Sequence, residues 1–126
     1  MARDFKPIAY LKDSCPFCFK LRVALLELGM LDAIEIRSFA SGTQEETEIR
    51  EHLSTKLERV MFPTVEISPG QYRTESDELI GYFAGMKGTD PQTLSTLKIY
   101  VEGPLKKLMA LSKENRELKK TASGKA

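Results

Sequence analysis

Two cysteines separated by two residues constrain this chain more than any other feature. Cys15 and Cys18 are the only cysteines among its 126 residues. A structural disulfide stabilises a fold by closing a long loop of the unfolded chain, and a loop this short gives little stabilisation. With no second cysteine pair and with His52 as the only histidine, a zinc site is disfavoured. The pair therefore indicates thiol chemistry.

The segments on either side of the pair predict a strand followed by a helix. The apolar run within residues 6–11 predicts a buried strand. Pro16 suits a first helical position and Gly29 a C-terminal cap, which places a helix at about 16–28. A C-x-x-C pair in this setting is typical of a thioredoxin-like redox site. The alternative is two buried cysteines that only pack in the core.

The predicted position of Cys15 at a helix N-terminus gives a physical reason for reactivity. The thiolate attacks sulfur, but an ordinary cysteine has a pKa near ~8.5 and is mostly protonated at neutral pH. Unpaired amides of residues 17 and 18, together with the charge of Lys12, should lower the pKa of Cys15. We therefore expect Cys15 to be the nucleophile and Cys18, deeper in the first turn, to be the resolving thiol.

The remaining chain predicts an α/β sandwich in the order β-α-β-α-β-β-α. Its expected elements are a strand at 33–38, a helix from Thr43 to about 56–59, a hairpin of strands at 64–67 and 71–74, and a helix capped by Thr74 or Ser76 that closes at Gly85–Gly88. Thr43 and Glu46 match a capping box at the start of the first of these helices. This order implies a mixed four-stranded sheet with helices on both faces. Residues 1–88 are expected to form this domain.

Residues 89–120 are expected to form a C-terminal helical extension, and residues 121–126 a frayed tail. Apolar residues recur at helical spacing between Leu94 and Leu111, which indicates a packing surface. Pro104 predicts either two helices or one kinked helix. The stripe would cover a face of the domain or build a homodimer.

Charge and hydropathy narrow the classes of partner. The formal net charge of +1 argues against a long nucleic acid partner. No apolar run approaches the ~20 residues that span a bilayer, and the first residues lack the apolar stretch of a secretory signal. We therefore expect a cytoplasmic protein that binds neither nucleic acid nor membrane.

The segment from Lys12 to Cys18, Lys-Asp-Ser-Cys-Pro-Phe-Cys, resembles the active site of glutaredoxins. Over residues 5–87 the chain also resembles the N-terminal domain of glutathione S-transferases. Met61–Thr64 falls where those proteins carry a cis-proline loop, and Thr74–Leu79 falls where they bind the γ-glutamyl end of glutathione. The resemblance implies a thioredoxin fold, a redox-active centre, and glutathione as co-substrate with no metal.

The resemblance also implies a set of glutathione-binding residues: Lys12, Phe17, Arg59, Phe62, Pro63, Glu75, Ser76 and Asp77. The backbone of Phe62 would pair with the cysteinyl part. The helix N-terminus at Ser76 and Asp77 would hold the γ-glutamyl carboxylate, and Glu75 or Asp77 its ammonium. Lys12 or Arg59 would take the glycine carboxylate. The local sequence alone predicts a trans peptide bond before Pro63. It also predicts that Ser76 and Asp77 are only a helix cap.

The expected function is that of a glutathione-dependent thiol–disulfide oxidoreductase involved in electron transport. Cys15 attacks the protein sulfur of a glutathionylated substrate, or a disulfide, and Cys18 or free glutathione resolves the intermediate. One alternative is a module that binds glutathione or a protein with little turnover, because paired glycines usual before the γ-glutamyl helix are replaced by Thr74 and Glu75. A second alternative is a transferase-like protein. A third is a protein in which two chains share an iron–sulfur cluster, and Pro16 argues against this third alternative.

Overall fold

The computed structural model describes residues 5–124 and the side chains of residues 5–120. The first four residues, on which the expectation about a secretory signal depends, lie outside the described residues. Helix α5 (Lys106–Gly124) includes part of the expected frayed tail, and residues 125–126 lie outside the described range.

Four strands form one mixed sheet. They are β1 (Ile8–Lys12), β2 (Glu35–Phe39), β3 (Thr64–Ser68) and β4 (Gln71–Arg73), in the order β2-β1-β3-β4. Strand β1 pairs parallel to β2 and antiparallel to β3, and β4 pairs antiparallel to β3 through the predicted hairpin. The predicted mixed four-stranded sheet and α/β class are therefore confirmed.

Three helices flank the sheet and two more follow it. They are α1 (Pro16–Glu27), α2 (Gln44–Ser54), α3 (Ser76–Met86), α4 (Ser95–Tyr100) and α5. Short 3₁₀ turns at Leu31–Ala33 and Pro91–Thr93 precede β2 and α4. Gly29, at φ +69°, ends α1 in the left-handed conformation that its predicted capping role requires.

The two faces of the sheet are buried by different helices. Alternate residues of a strand point to opposite faces, and Ala9 and Leu11 join the main core with α1, α3 and α4. Tyr10 points the other way, and its ring lies 6.1 Å from that of His52 on α2. Leu53, fully buried, anchors α2 on this second face. Strand β1 is thus covered on both sides, and its carboxyl end leads directly into the cysteine motif.

The start of α3 differs from the sequence prediction. Its N-cap is Glu75, not Thr74 or Ser76, and the glutamate side chain makes no capping hydrogen bond. The reason is backbone geometry, because Leu79 donates its N–H to the Glu75 carbonyl at 2.9 Å, which makes Ser76 the first helical residue. The predicted cap of α2 is confirmed, since the Thr43 hydroxyl accepts from the amide of Glu46.

The extension follows one helical path with an interruption at the proline. A five-residue π turn, Val101–Leu105, joins α4 to α5 and contains Pro104. A wider turn accommodates a residue that lacks an N–H and would clash with a regular preceding turn. The structure therefore matches the single interrupted helix and not two separate ones. No helix within residues 5–124 combines the length and apolar character needed to cross a membrane.

The apolar stripe of the extension is buried only over its first half. Leu94, Leu97 and Leu105 are buried, and the first two belong to the main core. Leu108 and Leu111 are 44% and 53% exposed. The expected packing surface therefore continues beyond the part of the stripe that the domain covers.

Candidate active site

Cys15 lies at the N-terminus of α1, as predicted. It is the N-cap residue, in extended conformation at φ −88° and ψ 119°, and Pro16 occupies the first helical turn. Its Sγ accepts a hydrogen bond from the backbone N–H of Cys18 at 3.3 Å. Cys15 is partly exposed, whereas Cys18 is only 2% exposed. Both thiols are free, and only the first is accessible to an incoming sulfur.

Several donors converge on the sulfur of Cys15 and stabilise its thiolate. A hydrogen bond from the Cys18 thiol is the largest cause, followed by the backbone N–H groups of Cys18 and Phe17 and then the charge of Lys12. Burial opposes them, because desolvation disfavours the charged form. Together they lower the pKa of Cys15 to about 6. The structure thus supplies the helix-terminus amides and the lysine on which the sequence-based expectation rested.

The same contact has the opposite effect on Cys18. Donation of its proton to Cys15 and burial raise the pKa of Cys18, and the negative charge of Cys15 adds to both. The Cys18 sulfur also accepts the backbone N–H of Lys12 at 3.4 Å. The two thiols therefore differ sharply, with Cys15 ionised first and Cys18 held protonated while Cys15 is a thiolate.

The loop opposite the cysteines carries the predicted cis proline. The Phe62–Pro63 peptide bond is cis, and the Phe62 carbonyl oxygen lies 3.7 Å from the Sγ of Cys15. Pro63 is buried, and the ring of Phe62 packs edge-on against Phe39 with centroids 4.8 Å apart. The guanidinium of Arg50 lies 5.1 Å from the Phe62 ring centroid. Sequence reasoning missed this arginine, which reaches the loop from α2.

Lys12, the last residue of β1, forms an ion pair beside the cysteine motif. Its ammonium lies 3.7 Å from a carboxylate oxygen of Glu46, and that carboxylate also accepts from Arg50 at 2.8 Å. A hydrogen bond from the Gly42 amide and one from Arg50 lower the pKa of Glu46, so the carboxylate is charged. Glu46 was expected only as part of a helix cap, and the structure shows that it also holds two cations beside the site.

The residues expected to hold the γ-glutamyl group surround the start of α3. Glu75 and Asp77 are exposed, and Ser76 is 9% exposed between them. The Asp77 carboxylate accepts a charge-assisted hydrogen bond from Lys20, whose side chain is buried. Arg59 is exposed in the loop that precedes the cis proline. The lysine partner of Asp77 was not foreseen, because the two lie 57 positions apart.

Tyr100 brings the helical extension to the cysteine motif. Its hydroxyl donates to the backbone carbonyl of Pro16 at 2.9 Å, and its ring meets that of Phe19 edge-on at 5.2 Å. Burial and the nearby negative charge of Cys15 raise the pKa of Tyr100. Sequence reasoning assigned this tyrosine no part in the site. No local pattern marks it, since its partner lies 84 positions away.

Within residues 5–124, no three histidine, cysteine, aspartate or glutamate side chains are grouped so as to hold a metal ion. The reactive groups that the structure gathers at the start of α1 are a low-pKa thiolate and a buried second thiol. These two groups are suited to thiol–disulfide exchange.

Comparison with known proteins gives solved structures of similar shape. No family model matches the sequence, and no curated protein matches it. A possible glutathione S-transferase from Rhodopseudomonas palustris superposes with a TM-score of 0.52 at 22% identity, over 68% of this chain and 42% of that one. A glutathione S-transferase from the Antarctic clam Laternula elliptica gives a TM-score of 0.50 at 19% identity, over 67% and 36% of the two chains. The chain thus spans less than half the length of either structure, and the likeness, with the sheet order, shows that it has a thioredoxin-like α/β fold.

Proposed function

We propose that this protein is a glutathione-dependent thiol–disulfide oxidoreductase of the glutaredoxin type. The observation that carries the proposal is the Cys15 sulfur, partly exposed at the start of α1 with its pKa lowered to about 6. Disulfide exchange requires a thiolate that attacks the substrate and a second thiol that resolves the intermediate, and Cys15 and Cys18 are suited to these two roles. Such a protein would work in a reducing compartment, and the cytoplasm is the one we propose.

In the first step, the thiolate of Cys15 attacks one sulfur of a substrate disulfide. A bond forms between Cys15 and that sulfur, the substrate S–S bond breaks, and the other sulfur leaves as a thiolate that takes a proton from solvent. The substrate is either a glutathionylated protein or a dithiol in its oxidised form. The product is a mixed disulfide on Cys15.

In the second step, Cys18 attacks the sulfur of Cys15. Where the mixed disulfide is with glutathione, a second glutathione can instead attack the glutathionyl sulfur, which breaks its bond to Cys15 and releases glutathione disulfide and the Cys15 thiolate. Attack by Cys18 forms the intramolecular disulfide and releases the second substrate thiol, so two electrons pass from the cysteine pair to the substrate. The hydrogen bond to Cys15 and the charge of Cys15 are two causes of the raised pKa of Cys18. Both disappear when Cys15 enters the mixed disulfide, so Cys18 becomes easier to ionise when it is needed. Two molecules of glutathione then reduce the pair and leave as their disulfide.

The proposed glutathione site would use groups from the end of β1, the cis-proline loop and the start of α3. The backbone of Phe62 would pair with the cysteinyl part, and the start of α3 at Ser76 and Asp77 would hold the γ-glutamyl end. Lys12 and Asp77 already form ion pairs with Glu46 and Lys20. Bound glutathione would therefore interact with Lys12 and Asp77 while these residues remain in their ion pairs.

A turnover assay with a glutathionylated peptide tests the proposal. Wild-type protein should release the peptide thiol in a glutathione-dependent manner, Cys15→Ser should be inactive, and Cys18→Ser should retain part or all of the activity. Equal loss in both variants would indicate a strictly two-thiol mechanism. Glutathione binding without turnover by the wild type would contradict the proposal and favour a binding module.

A transferase-like activity is the second candidate, and one observation favours it. A cleft of about 460 Å³ lies between α1, α3 and the extension, lined by Lys20, Asp77, Ile80, Pro91, Gln92, Leu97, Lys98, Val101 and Glu102. It is of a size that accommodates a small organic molecule. Conjugation of glutathione to an aryl halide measures this activity, and a rate no higher than that of the buffer would exclude it for that substrate.

A further inference from the structure

Helix α5 leaves the body of the protein with its apolar residues uncovered. The side chains of residues 106–120 are all exposed, and Leu108, Leu111 and Leu118 are 44%, 53% and 63% exposed. An isolated helix of this length is marginally stable in water, because helices in proteins gain most of their stability from packing an apolar face. The three leucines thus form an apolar face that nothing within the described residues covers.

The spacing of these residues is that of a coiled coil. Leu108, Leu111, Asn115 and Leu118 follow intervals of three, four and three residues, and so occupy a, d, a and d positions of two successive heptads. A single asparagine at an a position is a device that fixes the register and the number of strands at some cost in stability. Its place in an otherwise leucine seam matches a dimer of helices better than packing on an irregular apolar surface.

Charges beside the seam favour a parallel pair. In this register Glu114 is at a g position and Lys119 at the following e position, both exposed. In a parallel dimer the g residue of one helix faces the next e residue of its partner, so two glutamate–lysine pairs would form. In an antiparallel dimer the two copies of Glu114 would face each other and repel.

The seam and the contact of the helix with the body lie on different sides of the helix. Leu105, which faces the body, is 5% exposed. At 3.6 residues per turn, the mean direction of the four seam residues lies about 100° around the helix from Leu105. In a parallel dimer the two bodies would then lie on opposite sides of the seam.

We propose that α5 pairs with α5 of a second copy of this chain as a parallel two-stranded coiled coil with its seam at Leu108, Leu111, Asn115 and Leu118. The pairing does not depend on the proposed redox activity. It would join two protomers through the extension and leave both cysteine motifs on the bodies accessible.

Sedimentation equilibrium of the full chain over a range of concentrations tests this. The mass should rise from that of one chain, 14.2 kDa, to twice that value. Leu111→Glu should abolish the association. The helical circular dichroism of the body and the reactivity of Cys15 should stay unchanged. A wild type that stays monomeric at its highest soluble concentration, or a dimer that Leu111→Glu leaves intact, would overturn the proposal.

Charge reversal tests the parallel register separately. Glu114→Lys and Lys119→Glu should each weaken the homodimer by about tenfold, because two attractive pairs become two repulsive ones. An equimolar mixture of the two variants should restore association as a heterodimer, and so should the double variant as a homodimer. Equal association of all these proteins, or no rescue in the mixture, would refute the parallel pairing.

Discussion

The acidity of Cys15 is the property from which the proposed reactivity follows, and it predicts a specific pH dependence. Lowering the pH protonates the thiolate, so the rate of attack on a disulfide should fall. With a pKa of about 6 the rate should stay nearly constant from alkaline pH down to about pH 7 and then halve near pH 6. A cysteine in an unstructured peptide should instead lose reactivity below about pH 8.5.

The size of the effect follows from two opposing factors. Near pH 6 about half of Cys15 is thiolate, against about 0.3% of a cysteine with a pKa of ~8.5, an advantage of about 160-fold. A less basic thiolate is also a weaker nucleophile, and at a Brønsted slope of ~0.45 the difference in pKa reduces the intrinsic rate by about 13-fold. The net expectation is that Cys15 reacts about tenfold faster than the peptide near pH 6 and more slowly than it near pH 10.

A small aromatic disulfide that releases a coloured product measures this directly. The initial rate is followed from about pH 4 to pH 10 for the wild type and for an unstructured cysteine peptide, with Cys15→Ser as the blank. The two rate profiles should cross, with the protein faster at low pH and the peptide faster at high pH. Parallel profiles with a common midpoint near pH 8.5 would refute the electrostatic reasoning.

Three further variants test individual contacts. Cys18→Ala removes the thiol that donates to Cys15, so the pKa of Cys15 should rise, as followed by thiolate absorbance against pH. Tyr100→Phe deletes the hydrogen bond to the cysteine motif and should lower the free energy of unfolding by about 1 kcal/mol in urea. Asp77→Asn removes the counter-charge of Lys20 and should cost no more than about 1 kcal/mol in the same assay, because the Asp77 side chain is 86% exposed.

Each of these variants has a matched control. Cys18→Ser keeps a hydroxyl donor and should shift the pKa of Cys15 less than alanine does. Tyr82→Phe removes a hydroxyl from a ring packed on Phe83, and an equal loss there would mean that the bond to Pro16 contributes nothing specific. Lys20→Met combined with Asp77→Asn removes both charges of the pair and should recover most of the lost stability. No recovery would contradict the role given to the ion pair.

The local features of the site were predictable from the sequence, because they depend on residues close together in the chain. The proline after Cys15 and the glycine that ends α1 set the limits of the helix, and the helix start determines which amides face the thiol. The alternation of apolar residues in the strands likewise predicted the mixed sheet. The cis bond before Pro63 did not follow from its neighbours and came only from the resemblance.

The contacts that could not be predicted join distant parts of the chain. Tyr100 reaches Pro16 across 84 positions and Lys20 reaches Asp77 across 57. Neither contact can be recognised from the neighbouring sequence, because the local pattern around a tyrosine or a charged residue does not show whether its side chain is exposed or packed against a distant segment. The cap of α3 was mispredicted because Ser76 is a good capping residue by type, whereas the backbone bond from Leu79 to Glu75 sets the start of the helix.

The most direct measurement of the central claim is the mass of Cys18→Ser after exposure to oxidised glutathione. The variant keeps Cys15 as its only cysteine and lacks the thiol that would resolve the intermediate. The account predicts that the protein gains one glutathionyl group, held on Cys15 by a disulfide that dithiothreitol removes, and gains it faster near pH 6 than a cysteine peptide does. A protein that remains unmodified while the peptide is glutathionylated would contradict it.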